Sequence, residues 1–238
     1  MKGIVLSGGE GTRLRPLTRV TSKQLLPIYD KPMIFYPLQK LLDAGIKEIL
    51  IIVAPDHCGD YMKVLGSGRD FGPGVRFTYE IQDKPEGLAQ AFIIGENFLD
   101  DGDNVTLILG DNIFEDDFSE VIKNFTGGAH VFAKEVPDPE RFGVVKFDEE
   151  GRALEIVEKP QTFLSNFAVT GLYIYDNRIV EVAKNLQPSA RGELEITDAN
   201  RWYLKKGELT VSPVKGEWID AGTFESLYQA TMWAQQKS

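Results

Sequence analysis

Short apolar runs alternate with helical stretches through the first half of this 238-residue chain, and that alternation leaves few folds open. Lys2–Ser7, Glu48–Val53 and Val105–Leu109 read as buried strands. Val75, Phe77, Tyr79 and Ile81 alternate with polar neighbours, the period of a strand. Between these runs, Met33–Asp43 reads as a helix started by Pro32 and closed near Gly45. Tyr61–Leu65 and Leu88–Phe98 read as helices too. Parallel strands need long crossovers, and helical crossovers cover both faces of the sheet they connect.

After about residue 128 the pattern changes. Val131–Glu135, Val144–Phe147, Ala153–Glu158 and Ala168–Tyr175 read as strands, with a turn at Glu150-Gly151. Arg178–Asn185, Leu194–Lys206 and Phe224–Gln235 read as helices. No linker, repeat or composition break separates the halves. The expectation is a single α/β/α sandwich over residues 1–238, with a mixed, mostly parallel central sheet.

Composition narrows function by exclusion. Thirty-six Asp and Glu against 26 Lys and Arg give a net charge of -10, which argues against a nucleic-acid or anionic-membrane surface. No stretch approaches the apolar length of a membrane span. The N-terminal apolar run is too short for a signal peptide and leads directly into glycines, so a cytoplasmic location is expected. The single cysteine, Cys58, excludes an intrachain disulfide, and His57 and His130 are too few and scattered for a zinc site. An acidic chain that binds an anion needs a local cluster of cations. That requirement singles out Arg13, Lys23 and Lys159.

The first strand ends in Ser7-Gly8-Gly9-Glu10-Gly11-Thr12-Arg13-Leu14. Glycines let backbone N–H groups approach an anion, Thr12 adds a hydroxyl, and Arg13 adds a guanidinium fork suited to phosphate. The dinucleotide fingerprint would need glycine at Leu14, and the Walker pattern needs a Gly-Lys pair that the chain lacks. By itself the loop reads equally as a tight turn carrying a surface arginine. Asp111 follows a buried strand and a glycine, at the strand end where open α/β sheets place ligands. Asp220 precedes the last helix, where an aspartate is commonly a cap. Gln82 ends the alternating strand; its amide fits the acceptor–donor edge of thymine or uracil, and it fits a surface position as well. Glu158 and Lys159 are consecutive at a strand end. Pro160 after them makes an irregular end reasonable, which would let both face one cavity; an exposed pair on an edge strand is the alternative.

Larger motifs connect these residues. Gly8–Thr18, Ser22–Ile28 and Lys31–Ile34 open the series, followed by Gln82–Ala91, Leu109–Asn112, Arg141–Val144, Glu158–Pro160, Arg191–Asp198 and Trp218–Thr223. In this order the chain resembles the sugar nucleotidyltransferases, and most narrowly their short, thymidylyl-transferring members. The resemblance implies a Rossmann-like nucleotidyltransferase fold, Mg²⁺ held by Asp111 and Asp220, and the substrates dTTP and glucose 1-phosphate, giving dTDP-glucose and pyrophosphate for nucleotide-sugar biosynthesis. It implies that Gly8, Gly9, Gly11, Thr12, Arg13, Gln24, Gln82 and Gly87 bind the nucleotide. Arg13, Lys23 and Lys159 take the catalytic roles. Asn112, Gly143, Glu158, Lys159, Thr170, Tyr173 and Arg191 take the sugar phosphate, with nucleotide binding in about residues 1–128 and sugar binding in 129–238. A homo-oligomer is expected as well. The chain ends at Ser238, soon after the predicted last helix and before the further C-terminal helices of longer members, which leaves open feedback control of the kind those members carry. Rival readings are a uridylyl- or cytidylyltransferase and a non-catalytic nucleotide-sugar-binding regulator. Retention of both aspartates together with Arg13, Lys23 and Lys159 disfavours the regulator.

Overall fold

Alternate residues of the strand Lys2–Ser7 pack on opposite sides of the sheet: Ile4 and Leu6 enter one core, Val5 the other. The structure, a computed structural model, describes residues 1–100 and 102–237. In chain order the strands begin with β1 (Lys2–Ser7), β2 (Pro27–Ile28), β3 (Lys31–Pro32), β4 (Glu48–Val53), β5 (Arg76–Ile81), β6 (Val105–Leu109) and β7 (Asn112–Phe114). They continue with β8 (Ala129–Glu135), β9 (Gly143–Phe147), β10 (Ala153–Glu158), β11 (Phe167–Tyr175), β12 (Leu209–Pro213) and β13 (Trp218–Asp220). The helices are α1 (Phe35–Asp43), α2 (Cys58–Leu65), α3 (Gln90–Ile94), α4 (Ser119–Lys123), α5 (Ile179–Lys184), α6 (Ile196–Leu204) and α7 (Phe224–Lys237).

Among the described residues the main sheet has nine strands, in the order β10-β9-β11-β6-β1-β4-β5, with β8 branching from β11 and β12 pairing with β8. The block β6-β1-β4-β5 is parallel, as the strand–helix alternation requires. β11 enters antiparallel to β6 and also pairs antiparallel with β8 and β9. Its ladder to β8 shifts register between Val169 and Tyr173, a bulge beside the candidate site. One face of the sheet is covered from α3, α5 and α6 through Phe92, Val182 and Tyr203. The other is covered from α1, α2 and α4 through Leu41, Tyr61 and Ile122. The mixed three-layer sandwich is therefore the expected one. Among the described residues no helix is long and apolar enough to cross a membrane.

The departures from expectation have local causes. α3 covers Gln90–Ile94 instead of Leu88–Phe98; it ends after little more than one turn at Gly95, which packs on Ile4 and Leu50. α4, β7 and β13 span three to five residues, too few to show a period. β12 alternates, with Leu209 and Val211 buried, but Pro213 at its end argues against a central strand. It lies parallel to β8.

His130 on β8 faces β12 between two hydroxyls, with Thr210 Oγ1 2.8 Å from Nδ1 and Ser212 Oγ 3.0 Å from Nε2. Burial pushes its pKa down from 6.5 to about 4. The folded value lies below the unfolded one, so the neutral ring contributes stability that is present above about pH 6.5 and lost as pH falls through about 4. His130→Gln should therefore reduce the loss of stability between pH 7 and pH 4.5 by on the order of 2 kcal/mol. Urea unfolding of both proteins at the two pH values measures it, and an unchanged difference would show that His130 does not titrate with folding.

Candidate functional site

The carboxyl ends of the parallel strands open into a cleft of about 440 Å³ lined by Arg13, Asp111, Glu158, Lys159 and Asp220 among others. A recess of about 230 Å³ adjoins it, with Gly9, Lys23, Gln24, Gln82 and Gly87 in its wall. Leu88, Leu109, Asp111 and Glu193 line both, so the two form one trough.

Asp111 follows β6, and the chain then turns into β7, which pairs antiparallel with β13 in the register Asn112↔Asp220. The Ala221 N–H donates to Asp111 O at 2.9 Å and fixes the two segments beside each other. This pairing of two three-residue strands brings together carboxylates 109 positions apart in sequence. Lys23 donates to Asp111 Oδ2, and Asn112 Nδ2 donates to Oδ1 at 3.1 Å. Burial opposes ionisation of Asp111, but the Lys23 charge and hydrogen bond outweigh it and hold the carboxyl below its usual range. Burial opposes the Lys23 charge as well; Asp111 and Asp220 reverse the effect and raise its pKa. Among the described residues Asp220 has no such partner. Burial, and then the Asp111 charge, push its pKa up to about 6.

Asp220 Oδ1 is buried and accepts no hydrogen bond. An orphaned carboxylate oxygen beside a second carboxylate fits a hard divalent cation, which takes one or two carboxylates and completes its shell with water and phosphate oxygens. Among the described residues no group of three or more His, Cys, Asp or Glu is arranged for a metal, so these two would supply only part of a shell. Arg13 reaches the same place across Gly222, where an added Cβ would lie 2.8 Å from the guanidinium and 3.1 Å from Asp220 Oδ1. Arg13 makes no hydrogen bond or ion pair among the described residues.

The glycine loop is built differently from a simple phosphate nest. Gly8 leaves room for the Gln82 amide: a Cβ there would lie 2.0 Å from Gln82 Oε1. Gly9 is open to the recess. Gly11 takes the left-handed conformation, with φ of 62°, and its carbonyl accepts from Thr18 Oγ1 at 2.7 Å. Gly11 and Thr12 stand outside the trough wall, with Thr12 exposed at the start of a short turn, Thr12–Leu14. Their place is in holding the loop that carries Arg13. Gln24 is buried, and its Oε1 accepts from Ser22 at 2.8 Å and from Tyr61 at 3.1 Å. Gly87, at φ of 107°, packs on the Leu194 backbone, where a Cβ would sit 2.4 Å from the carbonyl oxygen.

At the other end of the trough, Glu158 and Lys159 do line one cleft. Successive strand residues face opposite ways; here Lys159 escapes the rule by adopting φ of 43°, a left-handed position immediately before Pro160. Such a conformation costs on the order of 1–3 kcal/mol for a non-glycine residue. Lys159 makes no ion pair among the described residues. Glu158 Oε2 accepts from Thr197 Oγ1 at 2.6 Å, and Gly143 lies close against them, since a Cβ would approach these two atoms to 3.2 and 3.0 Å and push them aside. Tyr173 is buried at the cleft wall, and burial raises its pKa.

Three expected sugar contacts are otherwise engaged. Asn112 Oδ1 accepts from Gly171 N at 3.0 Å and Trp218 Nε1 at 2.7 Å, while its nitrogen serves Asp111, so its amide links strands. Thr170 donates to Phe132 O at 3.0 Å. Arg191 is held by Glu195 through two bonds of 2.8 Å, with Glu158 at 3.4 Å and Glu193 at 3.3 Å, and is not a free cation. Thr197 and Trp218 were missed as individual residues. Their signal was there in Arg191–Asp198 and Trp218–Thr223, but nothing in those motifs says which side chains face the cleft.

A trough at the strand ends, with two unpaired cations near a buried carboxylate, Asp111, and a half-buried one, Asp220, has the charges to hold anionic groups. The nucleotidyl transferase family model matches residues 2–237, and the chain belongs to that family. It is 57% identical over 242 aligned residues to the glucose-1-phosphate thymidylyltransferase of Neisseria gonorrhoeae, covering 99% of this chain and 83% of the relative. Identity to the enzyme of the same name from Mycobacterium tuberculosis strain H37Rv is 50% over 236 residues, 97% of this chain and 81% of the relative. Among solved structures, a Bacillus anthracis protein provisionally described as a glucose-1-phosphate thymidylyltransferase, in complex with sucrose, superposes with a TM-score of 0.91 at 49% identity, covering 99% of this chain and 95% of that one. A UDP-glucose pyrophosphorylase complexed with UDP-glucose superposes with a TM-score of 0.86 at 27% identity, covering 100% and 99%.

The raised pKa of Asp220 has a measurable consequence in metal-free protein. The folded value, about 6, exceeds the unfolded one, so its stability contribution is fully present below about pH 4 and lost as pH rises through about 6. Asp220→Asn should stabilise the metal-free protein at pH 7.5 and leave it unchanged at pH 4. Denaturant midpoints at both pH values test this; equal effects at the two would mean that Asp220 ionises without penalty.

Proposed function

We propose that the chain transfers the thymidylyl group of dTTP to α-D-glucose 1-phosphate, forming dTDP-glucose and releasing pyrophosphate. One observation carries the reading: two uncommitted cations, Arg13 and Lys159, line a cleft that also holds the carboxylates of Asp111 and Asp220, in a chain whose net charge is -10. Two anionic substrates in one trough need such an arrangement. The names of the relatives support the choice of nucleotide and sugar.

In this reading residues 1–128 hold the nucleotide and residues 129–238 the sugar, within one domain. Gln82, Gln24 and the Gly87 backbone take the base. The loop from Gly8 to Thr12 carries Arg13 to the pyrophosphate end of the triphosphate, and Lys23 lies toward the α-phosphate. Lys159 neutralises the sugar phosphate, Glu158 accepts from sugar hydroxyls, and Gly143, Thr170 and Tyr173 wall the sugar. Arg191 acts through Glu158, which it helps to orient, and Asn112 through Asp111. Mg²⁺ at Asp111 and Asp220 would neutralise charge on the transferring phosphate and on the departing pyrophosphate.

The attacking atom is a phosphate oxygen of glucose 1-phosphate, which is ionised near neutral pH, so no side chain has to remove a proton. Its bond to the α-phosphorus forms in line as the bond from that phosphorus to the pyrophosphate oxygen breaks, and pyrophosphate leaves with the electron pair. The chain contributes positioning and charge neutralisation, with Arg13 meeting the charge that develops on the leaving group. A nucleoside triphosphate substrate fits a cytoplasmic location. Exposed Phe224, Tyr228 and Met232 on α7 favour association of copies through that helix.

Pyrophosphate release measured across dTTP, UTP, dCTP, dATP and dGTP with several sugar 1-phosphates tests the assignment. The highest kcat/KM is expected for dTTP with glucose 1-phosphate; turnover of UTP alone would replace the reading with a uridylyltransferase. Arg13→Ala should lower kcat about 10²–10³-fold with little change in Tm. A variant with wild-type turnover would remove Arg13 from the chemistry. Tyr228→Lys should shift light-scattering mass toward the monomer, and an unchanged mass would rule out the α7 face.

A further inference from the structure

A glutamine amide can meet a pyrimidine edge in either of two flips, related by a half turn. Thymine and uracil present the N3–H donor beside the O4 acceptor; cytosine presents the N3 acceptor beside the N4 donor. A free amide could serve both edges by rotating. Gln82 does not have that freedom.

Gln82 Nε2 donates to Gln90 Oε1 at 2.6 Å. Gln90 is itself held by two groups that cannot exchange roles. The Glu86 backbone N–H donates to Gln90 Oε1 at 3.1 Å, and the Glu86 carboxylate accepts from Gln90 Nε2 at 3.0 Å. A backbone N–H is only a donor, and a carboxylate serves here as an acceptor, so the Gln90 amide has one orientation. Its oxygen then requires the nitrogen of Gln82, and not the oxygen, on the facing side. Gln82 is 3% exposed, which leaves little water to replace a lost partner. Gly8 closes the other side, since any Cβ there would strike Gln82 Oε1. Gln82 lines the recess beside Gly87, whereas Gln90, at the start of α3, does not.

We infer that Gln90 is a specificity-determining positioning residue: through its bond to Gln82 it locks that amide in the flip that matches a thymine or uracil edge and opposes a cytosine edge. The inference rests on the reading that Gln82 and Gly87 hold the base. Only one flip meets a given edge, and with dTTP as the proposed substrate the fixed flip is assigned to thymine; a cytosine edge in the same place would then meet the oxygen with its N3 lone pair and the N–H with its amino group. Rejection thus comes from two like-with-like contacts as well as from lost bonds.

The test compares kcat/KM for dTTP and dCTP, at saturating glucose 1-phosphate, in wild type and three variants. Gln90→Met keeps length and helix propensity and removes the acceptor. It should lower the dTTP-to-dCTP ratio about tenfold or more, with KM for dTTP rising, KM for dCTP falling, and kcat on dTTP within about twofold of wild type. The pair Glu86→Gln with Gln90→Glu should restore the wild-type ratio, because the new carboxylate still accepts from Gln82 and the new amide donates to it. Equal losses on both nucleotides in Gln90→Met, or an unchanged ratio, overturn the inference. If that variant does not fold, the exchanged pair decides, and a collapsed ratio there overturns it. Gln82→Leu separates the levels. A ratio kept at the wild-type value in Gln82→Leu defeats the base reading itself. A ratio lost in Gln82→Leu and kept in Gln90→Met defeats only the role of Gln90.

Discussion

The buried ion pair between Lys23 and Asp111 is the interaction around which the trough is arranged. Both side chains are almost removed from water, at 12% and 13% exposure. Removing one partner of such a pair leaves an uncompensated charge, a loss of about 3–5 kcal/mol. Lys23 is therefore fixed against the strand end, and the loop that precedes it is fixed with it: Gly11 packs on the Lys23 stem and is tied to Thr18. Arg13, two residues on from Gly11, is placed without needing a partner of its own. Asp220 has the opposite condition. It is half-buried and has the negative neighbour but not the hydrogen bond, so one buried oxygen stays orphaned. The molecule holds one carboxylate satisfied and one unsatisfied, side by side.

Strain and exclusion do similar work at the Glu158–Lys159 end of the trough. Lys159 takes a left-handed backbone position just before a proline, and only that lets consecutive residues face one cavity. The carboxylate beside it is restrained by Thr197 and Arg191, while glycine at 143 keeps the approach to it clear. Arg191 illustrates how charge count misleads. It lies in the cleft, yet three glutamates surround it, and a cation so engaged holds carboxylates in place before it can hold a phosphate.

The same economy governs the polar relay at the recess. Neither Gln82 nor Gln90 has an orientation of its own, since an amide is nearly symmetric in shape. The backbone N–H of Glu86 has one, and it passes through two amides to the surface of the trough. Gly8, expected as a place for an anion to approach, is occupied by this arrangement, which connects the glycine loop to the recess at Gln82.

The sequence alone determined the architecture, because strand–helix alternation and apolar periodicity report local geometry and burial directly. It also determined where chemistry-bearing residues cluster along the chain: Asp111 at a strand end, Glu158 and Lys159 before Pro160, Arg13 after a glycine loop. What it did not determine is which of these are free. Asn112, Thr170 and Arg191 have the residue types of ligands, and only their tertiary partners show that those groups are used internally. Nor did it determine that Asp220 meets Asp111, since the short strands β7 and β13 carry no periodic signal and exist only as a pair. Local sequence encodes conformation and burial; the commitment of a polar group depends on atoms far away in the chain, and only the folded structure brings those together.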